Sequence, residues 1–418
     1  MRTHSSRSFG SGPLAVVAAA AACFLSAQPA SADVLFVSSQ GGTQVFRYEV
    51  GATGTPTVLS TITNANFTPA NWVSVRLNGG VVVGSAAKIS SMLPAGCGAV
   101  AGLAGATAAG ALVRPFDLVL LGDTVYSLDA SYPGSGAARI VRFDFNAAGE
   151  PVQAAATTAG GNSGRGITIH PGLRELFYTL CCGSNTVLRF RINDDLTLTA
   201  NGSITGNGLN NPHGMAVSAS GELFVVNAFG NSVSRFVFDA AGSATANGVI
   251  TGNGMSTPIG AAFSPWGELF VASQGAGTVS RFTFNAQGVA SANGGISPPA
   301  GVDDVAFATV PPPFLLAPRT KLTCPRGAAS FSVLAPGLAA SGFSYQWQRE
   351  TAPGSGSFVS MADGSSSAWG GGGTISGSST PVLSIVAATG LTQTDAGRYR
   401  CLITALCGST TTDIGTLV

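Results

Sequence analysis

The chain has 418 residues, 45% of them hydrophobic and only 9% charged, with 57 glycines and 22 prolines. That length calls for more than one domain, and so few charges leave no basic patch for nucleic acid or an anionic membrane surface. Small side chains and abundant glycine suit short strands joined by tight turns.

The N-terminus reads as a secretory signal. Arg2 and Arg7 make a positive start, Leu14 to Leu25 an apolar run, and Ala30-Ser31-Ala32 a cleavage site. Residues 1–32 are then removed and the mature chain begins at Asp33. A lipid anchor on Cys23 is the weaker reading, because Phe24 and Leu25 carry the apolar run past it. No other apolar run approaches the ~18 residues needed to span a bilayer, so no membrane insertion is expected. Removal of the signal leaves 18 basic against 19 acidic residues. The expected location is secreted, periplasmic or at the cell surface. Six cysteines survive processing: Cys97, Cys181, Cys182, Cys324, Cys401 and Cys407. An oxidising compartment permits disulfides, and no spacing among these residues defines a zinc site.

Residues 33–310 carry a repeat. Three apolar runs begin Glu175-Leu176-Phe177, Glu222-Leu223-Phe224 and Glu268-Leu269-Phe270, at spacings of 47 and 46 residues. After each come a glycine-containing polar cluster and an alternating strand with Arg-Phe, at Arg189-Phe190, Arg235-Phe236 and Arg281-Phe282. Arg47-Tyr48 and Arg142-Phe143 extend the ruler, and their separation of 95 residues leaves room for one unmarked copy between Asn71 and Pro115. A repeat of this length made of short strands is the signature of propeller blades. The ruler predicts an all-β, six-bladed propeller, or seven blades if the irregular region hides two. Val34-Leu35-Phe36-Val37 lacks the strand that opens the other copies, and Val305-Ala306-Phe307 supplies it from the far end, closing the ring. Each Arg travels with a Glu within diagonal cross-strand reach, which reads as a repeated structural ion pair rather than a binding stripe.

Asn211-Pro212-His213-Gly214 followed by Gly221-Glu222-Leu223-Phe224-Val225-Val226-Asn227 resembles secreted bacterial propellers of the lactonase, NHL and YVTN-repeat type. The resemblance implies the fold. It implies no single activity, because such propellers host unrelated functions.

Pro311-Pro312-Pro313 is a stiff linker, and residues 314–418 form a second domain. Its motifs Ser344-Tyr345-Gln346-Trp347-Gln348 and Asp395-Ala396-Gly397-Arg398-Tyr399-Arg400-Cys401 resemble those of bacterial immunoglobulin-like modules. That resemblance makes Trp347 the core tryptophan, Tyr399 the corner tyrosine, and Val333 the residue where a partner for Cys401 usually stands. The pairing of Cys324, Cys401 and Cys407 stays open.

Candidate ligand residues belong to one propeller face. The residue ahead of the first strand of successive blades is Arg165, His213, Ile259 and Asp303, and the loops between second and third strands hold Gln40, Cys181-Cys182, Asn227 and Gln274. A guanidinium, an imidazole and a carboxylate converging on the channel would bind an anionic or polyol ligand, and His213 has the chemistry of a general base. The structural alternative makes His213 a cap on the turn leading into its blade, and the amides partners of their own hairpins. Cys181 and Cys182 read as a vicinal disulfide, or as one partner for Cys97. His170 and Asp194-Asp195 read as turn residues, without the spacing of a calcium loop. No nucleophile elbow or phosphate loop is present in the sequence.

The leading expectation is a non-enzymatic binding propeller with an adhesive or spacer module. Its ligand would be a glycan, a small molecule or a surface protein, and no cofactor is called for. The alternative is a lactonase-type hydrolase using His213, Arg165 and Asp303, for which a divalent metal in the channel would be the one admissible cofactor. A scaffold without a ligand is the third reading.

Overall fold

The computed structural model describes residues 33–308 apart from 40, 52–54, 68, 77–79, 86–87, 97–98, 109–110, 114, 123, 130–137, 162 and 171. Beyond these it describes 328–333 and 344–417 apart from 370, 388–390, 392–393, 406–407 and 412–414. The signal at 1–32, the linker at 311–313, Gln40, Cys97, Cys324 and Cys407 therefore lie outside the described residues.

Residues 33–308 build six four-stranded antiparallel sheets among the described residues. The first sheet is ordered Val302–Ala308, Asp33–Ser39, Gln44–Val50, Thr57–Thr63. The other five follow the chain, and their first strands are Trp72–Val75, Pro115–Leu121, Gly164–His170, Pro212–Val217 and Pro258–Phe263. Each of these inner strands touches the next, and Val302–Ala308 touches both Trp72–Val75 and Pro258–Phe263, so the sheets close on themselves around an axis as a β-propeller. The strand that the sequence assigns to closure pairs as Val305 with Val37 and Phe307 with Leu35.

Strand periodicity explains the packing. Side chains alternate between the two faces of a strand, and here both faces are covered by neighbouring sheets. Leu223 and Val225 pack into the cluster shared with the fourth sheet, whereas Phe224 and Val226 pack into that shared with the sixth. Six such apolar clusters separate successive sheets, the last joining Phe270 to Leu35 and Tyr48. The Leu-Phe pair of each repeat thus belongs to two interfaces at once.

The repeated Glu and Arg lock the rim. Arg189 reaches Glu175 at 2.7 Å, Arg235 reaches Glu222 at 2.8 Å and Arg281 reaches Glu268 at 2.8 Å. Asn247 and Asn293 donate to the same carboxylates at 2.7 Å. Each guanidinium also lies over a phenylalanine of its own second strand, as Arg235 does over Phe224 at 5.2 Å.

Residues 328–417 contain two further sheets. One is ordered Ala328–Ser332, Val382–Val386, Thr374–Ser376, Gly364–Ser365, and the other centres on Ser344–Glu350 paired with Gly397–Ala405. Trp347, Phe331, Tyr399, Cys401 and Val333 share one buried core, with Tyr399 stacked on Phe331 at 5.1 Å. Tyr399 donates its hydroxyl to the Asp395 carbonyl at 2.6 Å, and Trp347 Nε1 donates to the Thr380 carbonyl at 2.9 Å. Burial pushes the Cys401 thiol up to about 12. No helix among the described residues is long and apolar enough to cross a membrane.

Candidate functional site

Five of the six inner strands pair with their neighbour through a register shift in their first residues. The shifts fall between Pro115 and Asp117, Gly164 and Ile167, Pro212 and Met215, Pro258 and Gly260, and opposite Val37 to Ser39 on the closing strand. A bulge re-aims the side chain it frees. The residues so re-aimed are Phe116, Arg165, His213, Ile259 and Asp303, and together with Trp72 they line a cavity of about 550 Å³. Every inner strand contributes to the lining, and Asp117 and Asp304 line it as well. The cavity is therefore axial.

The sequence alignment sets Arg165, His213, Ile259 and Asp303 ahead of their strands, whereas each lies inside, at the second position. The bulge is the reason: it breaks the alternation on which the sequence boundary rests. Around the ring the order is Asp303, Trp72, Phe116, Arg165, His213, Ile259. Arg165 and Asp303 thus stand three sheets apart, on opposite sides of the axis. Trp72 and Phe116 form an aromatic wall with centroids 5.9 Å apart, and the Arg165 guanidinium lies over Phe116 at 4.1 Å.

The next residue of each inner strand forms a second layer: Val73, Asp117, Gly166, Gly214, Gly260 and Asp304. The glycines sit where the following strand presses closest. A Cβ on Gly214 would meet the Ile259 carbonyl oxygen at 2.5 Å, and one on Gly260 would meet Asp304 Oδ1 at 2.5 Å. The two carboxyls tie neighbouring sheets instead. Asp304 accepts from Val73 N–H at 3.2 Å, and Asp117 accepts from Ile167 N–H at 2.9 Å and Leu118 N–H at 2.7 Å. Sequence reading passed over Trp72, in the copy that the ruler does not mark, over Phe116, which a bulge re-aims, and over these two acids, whose partners in the neighbouring sheets are remote in sequence.

Gln274 also lines the cavity and donates from Nε2 to Asp303 Oδ1 at 2.7 Å. Asn227 does not line it. Its side chain is buried in its own hairpin, bonded to Ser232 and Ser234 and accepting from Asn210 N–H, so the hairpin reading applies there. His170 is likewise structural, with Nε2 donating to the Gly221 carbonyl at 2.7 Å and Nδ1 accepting from Leu173 N–H. Cys181 and Cys182 are joined as a vicinal pair in the turn of the fourth sheet.

Burial sets the charge states. His213 is pushed down to about 3, first by desolvation and then by the Arg165 charge, so its imidazole is neutral across the physiological range. Such a ring is a weak proton acceptor. Asp303 is raised to about 6 by desolvation, against the lowering effect of the Gln274 hydrogen bond. Desolvation also raises Asp304 and Asp117, and each is raised further by a neighbouring carboxyl, Asp303 and Asp304 respectively. Among the described residues, no three His, Cys, Asp or Glu side chains gather closely enough to hold a metal ion.

No family model matches the chain, and no curated protein matches it in sequence. Solved structures do. The periplasmic gluconolactonase of Pseudomonas aeruginosa aligns with a TM-score of 0.52 at 15% identity, over 67% of this chain and 100% of that one. A protein proposed to be a 6-phosphogluconolactonase, from Bacteroides fragilis, aligns with a TM-score of 0.51 at 17% identity, over 66% of this chain and 98% of that one. At such identity the likeness shows the fold alone, a β-propeller.

Proposed function

We propose that the axial cavity is the active site of a lactonase-type hydrolase that opens a ring ester. The observation that carries this reading is the opposition of Arg165 and Asp303 across a cavity with an aromatic wall. An ester carbonyl held between them meets a fixed cation on one side and a carboxylate of suitable basicity on the other. Asp303, at about 6, is ionised at neutral pH and still basic enough to take a proton from water. The water oxygen adds to the carbonyl carbon while its proton passes to Asp303. The tetrahedral oxyanion then faces the Arg165 guanidinium, with an N–H of neutral His213 as a second donor. Collapse breaks the ring carbon–oxygen bond, the leaving alkoxide takes the proton back from Asp303, and a hydroxy acid departs. The expected base His213 thereby becomes a donor, because burial beside Arg165 removes its basicity.

The six sheets are, in this reading, the six blades of the propeller, and residues 314–418 an immunoglobulin-like module supported by Trp347 and the Tyr399 corner. Export through the 1–32 signal completes it. A binding-only propeller is the second reading, favoured by Gln274 occupying one oxygen of Asp303. Its ligand would be a glycan or a small polar molecule in the same cavity.

The deciding experiment is hydrolysis of a panel of lactones and linear esters by mature protein, with Asp303→Asn and Arg165→Gln in parallel. Turnover lost in both variants supports the hydrolase. Absence of turnover with retained ligand affinity would replace it by the binding propeller.

A further inference from the structure

One turn beside the cavity differs from its copies. Between the second and third strands the fifth sheet has Ala228-Phe229 and the sixth Gln274-Gly275, where the fourth has Cys181-Cys182. The three turns are anchored alike. Cys181 N–H donates to Ser163, Ala228 N–H to Asn211 and Gln274 N–H to Thr257, at 3.0 to 3.1 Å. The residue just ahead of the next inner strand is also held alike, since Asn211 N–H donates to Asn185 Oδ1 and Thr257 N–H to Asn231 Oδ1, both at 2.8 Å. Against this common frame, Cys182, Asn211 and His213 stand together where the following copy has Phe229, Thr257 and Ile259.

The three are bonded in series. Cys182 N–H donates to Asn211 Oδ1 at 3.1 Å, and Cys182 Sγ lies 3.5 Å from the same oxygen. That contact fixes which end of the buried amide is oxygen. The other end, Nδ2, lies 3.5 Å from His213 Nε2. An amide nitrogen only donates, so Nε2 accepts and the imidazole proton resides on Nδ1.

We infer that Asn211 is a positioning residue that sets the tautomer of His213, and that the Cys181–Cys182 disulfide is a redox control acting through it. The inference rests on the reading of the axial cavity as a hydrolytic site. The disulfide closes a small ring through the peptide bond between its cysteines and so holds the Cys182 N–H against Asn211. A dithiol reductant opens that ring: two electrons and two protons pass to the cystine, the sulfur–sulfur bond breaks, two thiols form, and the dithiol closes to its own disulfide. Cys182 has φ +59, a left-handed conformation that a non-glycine residue leaves when released. Its N–H then turns from Asn211, the amide loses its fixed orientation, and His213 samples both tautomers.

Nitrogen NMR of ¹⁵N-histidine-labelled mature protein reads this directly, because residues 33–418 contain only His170 and His213. In the oxidised protein His213 should show the Nδ1–H tautomer alone. Dithiothreitol, and separately a Cys181→Ser/Cys182→Ser double variant, should move its shifts towards the average of the two tautomers while His170 stays put. Asn211→Asp, whose side chain accepts at both ends, should convert His213 to the Nε2–H form. On a hydrolysed lactone, reduction and the double variant should lower kcat about tenfold with a smaller change in KM. The inference is overturned if the His213 shifts are the same in oxidised, reduced and double-serine protein, or if Asn211→Asp leaves them unchanged. Should no lactone be hydrolysed, the proposed activity fails while the nitrogen shifts still decide the linkage.

Discussion

Arg165 and Asp303 hold the same position in inner strands three sheets apart, so a guanidinium and a carboxyl face one another across the axial cavity. Desolvation has raised the carboxyl to about 6, and a base works only when ionised. For a lactone substrate, kcat/KM should therefore fall about tenfold per pH unit below about 6 and level off above it. Asp303→Asn should remove that limb together with about a hundredfold or more of the rate. A pH–rate profile checks both. A limb that persists in the variant would assign the base elsewhere.

Asp304 and Asp117 favour the folded protein only when protonated, because burial raises both above their unfolded values. Their contribution is full below about pH 4 and is lost as pH rises through the raised folded values. Asp304→Asn keeps an acceptor for Val73 N–H and removes the charge. The variant should withstand more urea than the parent at pH 8, with the advantage vanishing towards pH 4. Equal gains at both pH values would contradict the assigned cause.

Close approach rather than backbone conformation fixes Gly214, which lies against the Ile259 carbonyl and Gly260 Cα. Gly214→Ala should cost about 3 kcal/mol through displacement of the sixth sheet. Gly254→Ala, at φ +73 with open space around it, should cost only about 1 kcal/mol. Urea unfolding of the pair separates the two mechanisms, and similar losses would show that the inner strands yield easily.

Glu268 and Arg281 form a buried pair, with side chains only 1% and 5% exposed. Glu268→Gln should destabilise the protein by about 3–5 kcal/mol, since it strands a desolvated guanidinium. At Asp194, 72% exposed in its pair with Arg174, the same change should cost under about 1 kcal/mol. Thermal or denaturant midpoints check the contrast.

Which parts of this molecule the sequence discloses follows from the range of the interactions. Glu-Leu-Phe and Arg-Phe recur because every copy needs the same two-faced strand and the same diagonal ion pair, and those are local. The ruler therefore locates Arg165, His213, Ile259 and Asp303 at one level. It locates neither Trp72 nor Phe116. The second sheet carries no Arg-aromatic marker, and Phe116 is re-aimed by a bulge that breaks alternation. Asp117 and Asp304 are hidden for another reason, since the amides of the neighbouring sheets that they accept from lie 50 and 231 residues away. Asn227 misleads in the opposite sense. Its polarity suggests a ligand, but the hydroxyls of Ser232 and Ser234 use it within five and seven residues.

Asp303 rides on Val302–Ala308, the strand that seals the first sheet to the last. The acid of the site is thus among the final residues of the propeller to leave the ribosome, and it reaches its place only as the circle completes. A nascent or clipped chain ending before 302 would own the cation and the aromatic wall but lack the carboxyl that stands opposite Arg165. Closure of the circle and assembly of the full cavity lining are therefore a single event.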